Sequence, residues 1–563
     1  MIDEKKITSF IAKSGMNQSG SLISQLYSIR NKYGISFSSQ KLKLLNELNG
    51  KPVKSKKTLQ SYYYSLLFLI AYPDNKSIYQ LASQSLHYLS AYIQSHEKIK
   101  LSLFNSGITN TQLCAAFGFE IVKWLRNKHP KNIKLSSFEA DDGRIRYILS
   151  AVMPKVESEI LQDANAEWKS WLKRSMKKGE DLLDRFIAVF DEADLRPEIR
   201  DELWNALGIN VEINFPSHTS LPDTLTTPYY HRSLIKKEFS KQNSGEKPIL
   251  VHLNKTEAEQ IIECGRMILV RHLREIDPVS FTAARLVSFY RLPRGLSVAL
   301  MGMVPERRHP IDSYMGYVAF KNGLPIAYAG SWILFDSGRI GLNVFPAYRG
   351  GESQYIFEEV LKLHGGVYHL NRFSVDPYQI GKENTEGIKS GAFWTYYHSG
   401  FRPIGEEQKK LAETEQLKIK TIKGYRSPVS VLKKLADSRM ELALQKKTVR
   451  FDATDLSVAY ANILKNQYNN NRKVAEELSF TKLAEIIQLK NYHKEEIKFI
   501  LKNWCILLLT YEQGLRRNSD LKKTLKKLFE LKAGGDEEDY ISELQRATKL
   551  RKLFERIVKE NVG

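Results

Sequence analysis

The sequence predicts an α+β multidomain protein in which one mixed-sheet domain is carried between two mainly helical regions. Three observations carry that prediction. Through residues 1–213 apolar positions recur at helical spacing, as where Ile78, Leu81, Leu86, Leu89 and Tyr92 line one face behind Pro73 and Asp74. Between Ser297 and Ile404 the pattern changes to short runs rich in aromatic and β-branched residues: SVALMGM, YMGYVAF, PIAYAGSWILF and RIGLNVF. From residue 430 to 563 it returns to helix, with the basic amphipathic segments LKKTLKKLFELK and LRKLFERIVKE.

Each element follows from local chemistry. Leu182, Leu183, Phe186, Ile187 and Phe190 form one apolar stripe, and strict alternation is scarce before residue 213, so this region reads as a helical array. Residues 214–279 open on a connector, because Pro216, Pro222 and Pro228 stand among Ser and Thr and remove backbone donors. A helix then resumes near Asn254 and stops before Pro278. The sheet domain is assigned to residues 280–405. There Lys321 to Gly323 supplies a turn between two strands, and helix QYIFEEVLKLH, strand HLNRFSVD, helix GAFWTYYHS and strand FRPI complete the order.

Composition narrows the class. With 563 residues, 42% hydrophobic and 26% charged, the chain is neither disordered nor collagen-like. Cys114, Cys264 and Cys505 lie far apart with no histidine at ligand spacing, which predicts no metal site, no disulfide framework and a reducing compartment. MIDEKKITSF has acidic residues and no apolar stretch behind them, so neither a secretory nor a transit leader is expected. The longest apolar runs, Tyr62 to Tyr72 and Trp504 to Tyr511, are well short of the roughly 20 residues that span a bilayer, and a cytoplasmic location with no membrane span is the expectation. The formal charge of +22 is uneven: +11 over residues 1–130, −3 over 131–270, +6 over 271–430 and +8 over 431–563. An anionic macromolecule such as a nucleic acid, met by the cationic ends, is the partner this distribution suggests.

The segment LNVFPAYRGGESQYIFEEVLKLH leads a strand through a glycine-rich bend into a helix, an arrangement that leaves backbone amides free to cradle a pyrophosphate. Gly350 and Gly351 permit close approach, Arg349 adds positive charge, and Ser353 is small at the first turn. Further on, Ala392, Tyr396, Gly400 and Phe401 fall at the spacing Ala-x-x-x-Tyr-x-x-x-Gly-Phe. The strand order and these two motifs resemble the GNAT superfamily of acyl-CoA-dependent N-acyltransferases, over about 110 of the 563 residues. RGGES looks like a version of the family's phosphate loop shortened by one residue, with Glu352 where a glycine is expected.

The resemblance implies acyl transfer from acetyl-CoA or another acyl-CoA to an amine. Tyr396 would then be the acid that protonates the departing thiolate, with Tyr397 as the alternative and packing against the sheet as the competing role for either. Asp376, at the end of a strand, is the candidate base; an ordinary strand-ending cap is its other reading. Val344 or Phe345 would give the backbone donor for the oxyanion, and Asn384 is the counterpart of the asparagine that precedes the family's helix. His364, His369 and His398 read as surface or packing residues. An aminoacyl-tRNA-dependent transferase of the same fold is one alternative, and a non-catalytic nucleic-acid-binding or scaffold protein is another. For the last, Lys51, Lys54, Lys56 and Lys57 ahead of three tyrosines could grip phosphates and stack bases, or simply lead into a buried aromatic helix.

Overall fold

The computed structural model describes residues 19–53, 55–163, 167–215, 217–235, 247–444, 451–490 and 492–562. Lys54, the opening MIDEKKITSF and most of the KQNSGEKP segment lie outside the described residues.

The first helices form because apolar residues recur at helical spacing along a face that can be buried. Lys56–Ala71 buries Leu59, Tyr62, Tyr63, Leu66 and Phe68, and joins the same apolar core as the large sheet. Lys76–Ser95 starts where the Asn75 side chain accepts from the Ile78 amide at 3.0 Å. Tyr62 and Tyr63 are 4% and 7% exposed, so neither ring is presented for base stacking.

The helical array expected over residues 1–213 is interrupted. Strands β1 (Gln112–Ala116), β2 (Ile133–Phe138) and β3 (Ile209–Asn214) make an antiparallel sheet in the order β1-β3-β2. Ile209, Val211 and Ile213 alternate inward onto a core of Phe119, Phe186, Phe190 and Trp204. The strands are short and β3 lies far along the chain from both partners, so no hairpin turn announces them.

The large sheet contains β4 (Ile249–Val251), β5 (Val287–Arg291), β6 (Leu296–Met301), β7 (Ser313–Lys321), β8 (Leu324–Leu334), β9 (Ser337–Ile340), β10 (Asn343–Val344), β11 (Arg372–Val375), β12 (Arg402–Pro403) and β13 (Met440–Ala443). Its order is β12-β13-β11-β9-β8-β7-β6-β5-β4, with β10 on β8. Asn322 and Gly323, at φ 47° and 80°, turn β7 into β8, as the Lys321 to Gly323 signal predicts. The sheet exceeds residues 280–405 at both ends: β4 lies in the segment read as connector and helix, and β13 inserts between β11 and β12.

One pairing positions the candidate site. β11 is parallel to β9 from Arg372↔Ser337 to Ser374↔Arg339, and the ladder stops there. Gly341 and Leu342 make no sheet pair, and β10 then pairs with β8 alone. The two strands therefore part beyond Arg339, and the helix Ser353–Val367 starts past the end of β10.

The C-terminal helices form their own core around Trp504, Phe529 and Phe554, into which the β8–β9 turn inserts Leu334 and Phe335. Both basic amphipathic segments bury their apolar stripes: Leu521, Leu525, Leu528 and Phe529 in Ser519–Gly534, and Leu550, Leu553, Phe554 and Ile557 in Thr548–Asn561. Most of their lysines and arginines lie on the outer face of a bundle, while Lys532 is buried and Arg551 pairs with Asp336. Arg308 and Lys532 seal the junction with the sheet. Arg308 is 3.1 Å from Glu537 and Lys532 pairs with the same carboxylate, while the Lys532 ammonium donates to the Asp312 carbonyl at 2.8 Å.

Among the described residues no helix is long and apolar enough to cross a membrane. No group of three His, Cys, Asp or Glu side chains among them could hold a metal ion.

Candidate functional site

Phe345 ends the strand in the sheet, its amide donating to the Ile326 carbonyl at 3.0 Å, while Val344 pairs with Ala327. The Phe345 ring is stacked between His272, at 4.5 Å, and Tyr328, at 5.2 Å. Pro346–Tyr348 turns the chain, and Gly350 takes φ 85°, a conformation that a side chain would strain. The corner is thus the strand-to-helix bend that the sequence predicts.

Its surroundings come from distant parts of the chain. A Cβ built on Gly351 would lie 2.9 Å from the Tyr72 ring, so the N-terminal helix region sits directly on this glycine. The Gly351 amide donates to the Tyr348 carbonyl at 3.1 Å. Arg30 and Asn31 donate to the carbonyls of Arg349 and Gly350, at 3.5 and 3.3 Å. Arg349 itself is half exposed and pairs with Glu386, which also faces Arg274 at 3.5 Å.

Glu352 is the residue that departs from the family pattern, and it turns inward. Its carboxylate is fully buried, 2.8 Å from the equally buried Lys321 ammonium and 2.6 Å from Arg294, and it accepts from the Ile235 amide at 2.9 Å. Burial alone would raise the Glu352 carboxyl, but the Lys321 charge and these hydrogen bonds hold it below the ordinary carboxylate range. Ser353 follows as the first residue of the helix, partly exposed.

At the parting of the strands the Tyr396 hydroxyl accepts from the Leu342 amide at 3.1 Å. Tyr396 is 3% exposed, and burial pushes its phenol up to about 12. The adjacent Gly341 carbonyl accepts from the Tyr317 hydroxyl at 2.6 Å, and the Gln379 side chain lies 3.1 Å from where a Gly341 Cβ would be. Backbone groups freed by the lapse in pairing are thus taken up by side chains. Tyr397 is buried beside Tyr396 with the Arg402 guanidinium 4.1 Å above its ring.

Asp376 lies between two guanidiniums, 3.4 Å from Arg339 and 3.7 Å from Arg439. Its side chain makes no cap hydrogen bond in the strand-ending turn, so its partners are these two guanidiniums. Asn384 caps Thr385–Ser390, accepting from Gly387 at 3.0 Å and donating to the Tyr378 carbonyl at 3.0 Å. His364 is fully buried, its Nδ1 2.8 Å from the Val360 carbonyl, which settles it as packing rather than surface.

The structure brings Tyr396, Val344 and Phe345 to one side of the strand parting, and Arg349, Gly350, Gly351 and Ser353 to the corner beyond it. Sequence reasoning missed Arg30, Asn31, Tyr72, Arg294, Lys321 and Glu386. No spacing links them to the motif; only the burial of a glutamate with two cations could have hinted at partners elsewhere. No family model, curated protein or solved structure matches this chain.

Proposed function

We propose that the mixed sheet is a non-catalytic platform that uses its strand-to-helix corner to dock the chain's own N-terminal helices. One observation carries this reading: the corner is filled from within. Tyr72 covers Gly351, and Glu352 occupies the Lys321 and Arg294 cations that would otherwise be free for phosphate. A pyrophosphate needs free charge and close backbone approach at a helix start; here Lys321, Arg294 and Arg349 are all paired with carboxylates, and the Gly351 amide donates to Tyr348. The protein is on this reading a scaffold in which one sheet joins an N-terminal helical unit, a small α+β unit and a C-terminal bundle.

The test is a melting curve of the full chain with acetyl-CoA, together with thiol detection of released CoA in the presence of a polyamine acceptor. The expected result is no shift at millimolar acetyl-CoA and no thiol release. A saturable shift that Arg349→Ala abolishes would overturn the reading.

A second reading, acyl transfer from an acyl-CoA to an amine, is favoured by the Tyr396 hydroxyl standing 3.1 Å from the Leu342 amide where the strands part. It requires Tyr72 to leave the corner. Tyr72→Ala should then confer acetyl-CoA binding, and Tyr396→Phe should remove any turnover that follows.

A further inference from the structure

A cleft of about 870 Å³ separates the helix Phe119–Lys128 from the sheet edge and the helix Lys255–Arg271. Trp124, Lys128, Arg266, Thr282 and Arg285 are in its wall, with Val251 and Ile262 among its apolar residues. Two carboxylates also line it: Glu259 faces Lys255 at 4.0 Å, and Glu263 lies 3.5 Å from the His129 Nε2, a contact that pairs charges only when that imidazole is protonated.

Arg266 is the distinctive member. Its Nε donates to the Val279 carbonyl at 3.1 Å and its Nη2 to the carbonyls of Ser280 and Thr282, at 2.8 and 3.4 Å. These bonds fix the plane of the guanidinium, while Nη1 has no partner among the described residues. No carboxylate among them forms an ion pair with it. Burial pulls Arg266 down to about 10, which leaves it charged at neutral pH. Its Cζ is 5.5 Å from the centre of the Trp124 ring, so a fixed cation and an indole share one wall. Thr282 is 7% exposed and its hydroxyl has no hydrogen-bond partner among the described residues.

A half-buried cation with neutral acceptors on two nitrogens and an open third is poised for an external anion, because its plane is already fixed and part of its desolvation is already incurred. Between Lys255 and Arg266 the helix rises roughly 16 Å, and the volume lies in the range of small-molecule sites. We propose that this cleft binds a phosphate-bearing aromatic molecule of the nucleoside monophosphate class, with the phosphate on Arg266 and Thr282 and the ring beside Trp124. Lys128 and Arg285 supply flanking charge. The site is separate from the strand-to-helix corner and stands whichever reading of that corner holds.

Titration calorimetry of the full chain with AMP, adenosine and inorganic phosphate tests it. AMP should bind and adenosine should be weaker by about tenfold or more, the worth of a charged hydrogen bond. Thr282→Val and Lys128→Ala should each weaken AMP severalfold with an unchanged melting temperature, and Arg266→Lys, which keeps the charge but loses the fork, should weaken it further. A 5′-phosphorylated dinucleotide that displaces AMP would assign the site to a strand end, and one that does not would assign it to a free nucleotide. No heat with millimolar AMP, or equal AMP affinity in wild type, Thr282→Val and Lys128→Ala, would overturn the proposal.

Discussion

The Lys321 ammonium and the Glu352 carboxylate lie 2.8 Å apart with neither side chain exposed, joining the end of β7 to the start of the helix Ser353–Val367. Removing one partner strands the other charge in the core. Glu352→Gln should therefore cost about 3–5 kcal/mol, measured by urea unfolding, whereas adding Lys321→Met should recover part of it, since Arg294 still lacks its carboxylate. A single-variant loss below about 1 kcal/mol would show that the pair is not isolated from water.

The Tyr396 hydroxyl accepts a hydrogen bond from the Leu342 amide. Tyr396→Phe leaves that half-buried donor without this acceptor, which predicts a loss of about 0.5–1.5 kcal/mol in chemical denaturation. A variant as stable as the parent would mean that the amide finds another acceptor.

His364 should make the fold acid-sensitive. Burial, opposed by the Val360 carbonyl, lowers its folded-state value to about 4, against 6.5 in an accessible imidazole. Between those values the unfolded chain binds a proton that the native state does not, so stability falls as pH drops through this window. From pH 7 to pH 5 this single group accounts for about 2 kcal/mol. Unfolding free energies of His364→Phe at the two pH values should show a correspondingly shallower decline.

Arg308 reaches the carbonyls of Leu531, Lys532 and Gly535, at 3.3, 3.2 and 3.0 Å, besides Glu537. Arg308→Met removes the donor to the Lys532 and Gly535 carbonyls at the bundle junction, while Leu531 keeps the Gly535 amide and Glu537 keeps Lys532. It should cost about 1–3 kcal/mol, and limited proteolysis should cut between the sheet and residues 451–562 before either unit is degraded. Cleavage spread evenly along the chain would refute a junction role.

Gly351 tolerates no side chain under Tyr72, with the ring 2.9 Å from its Cβ position. Gly351→Ala should destabilise by about 1–3 kcal/mol through overpacking and raise proteolysis within residues 56–72. Unchanged cleavage there would show that the contact yields without displacing the helix.

Local patterns carried a large part of the architecture. The apolar stripe of Leu183, Phe186 and Phe190 is buried on its helix, and the turn at Asn322 and Gly323 lies where the residues require it. The strand-to-helix bend at Arg349 to Ser353 was also legible, because glycines beside a helix start have few structural explanations. The strand β13 was not, since four residues Met440–Ala443 gain their identity only by lying between β11 and β12. The same holds for β1 to β3, whose pairing partners are far away in sequence.

The amino-acid order by itself determined which segments curl and which extend, and where the chain must bend, because these depend on side-chain period and on glycine and proline within a few residues. Tertiary structure alone decided what the bend contains. Glu352 turning inward to Lys321 and Arg294, and Tyr72 coming to rest on Gly351, are contacts between residues dozens to hundreds of positions apart. No local pattern encodes them, since burial of a charge is settled by the partners that the whole fold delivers.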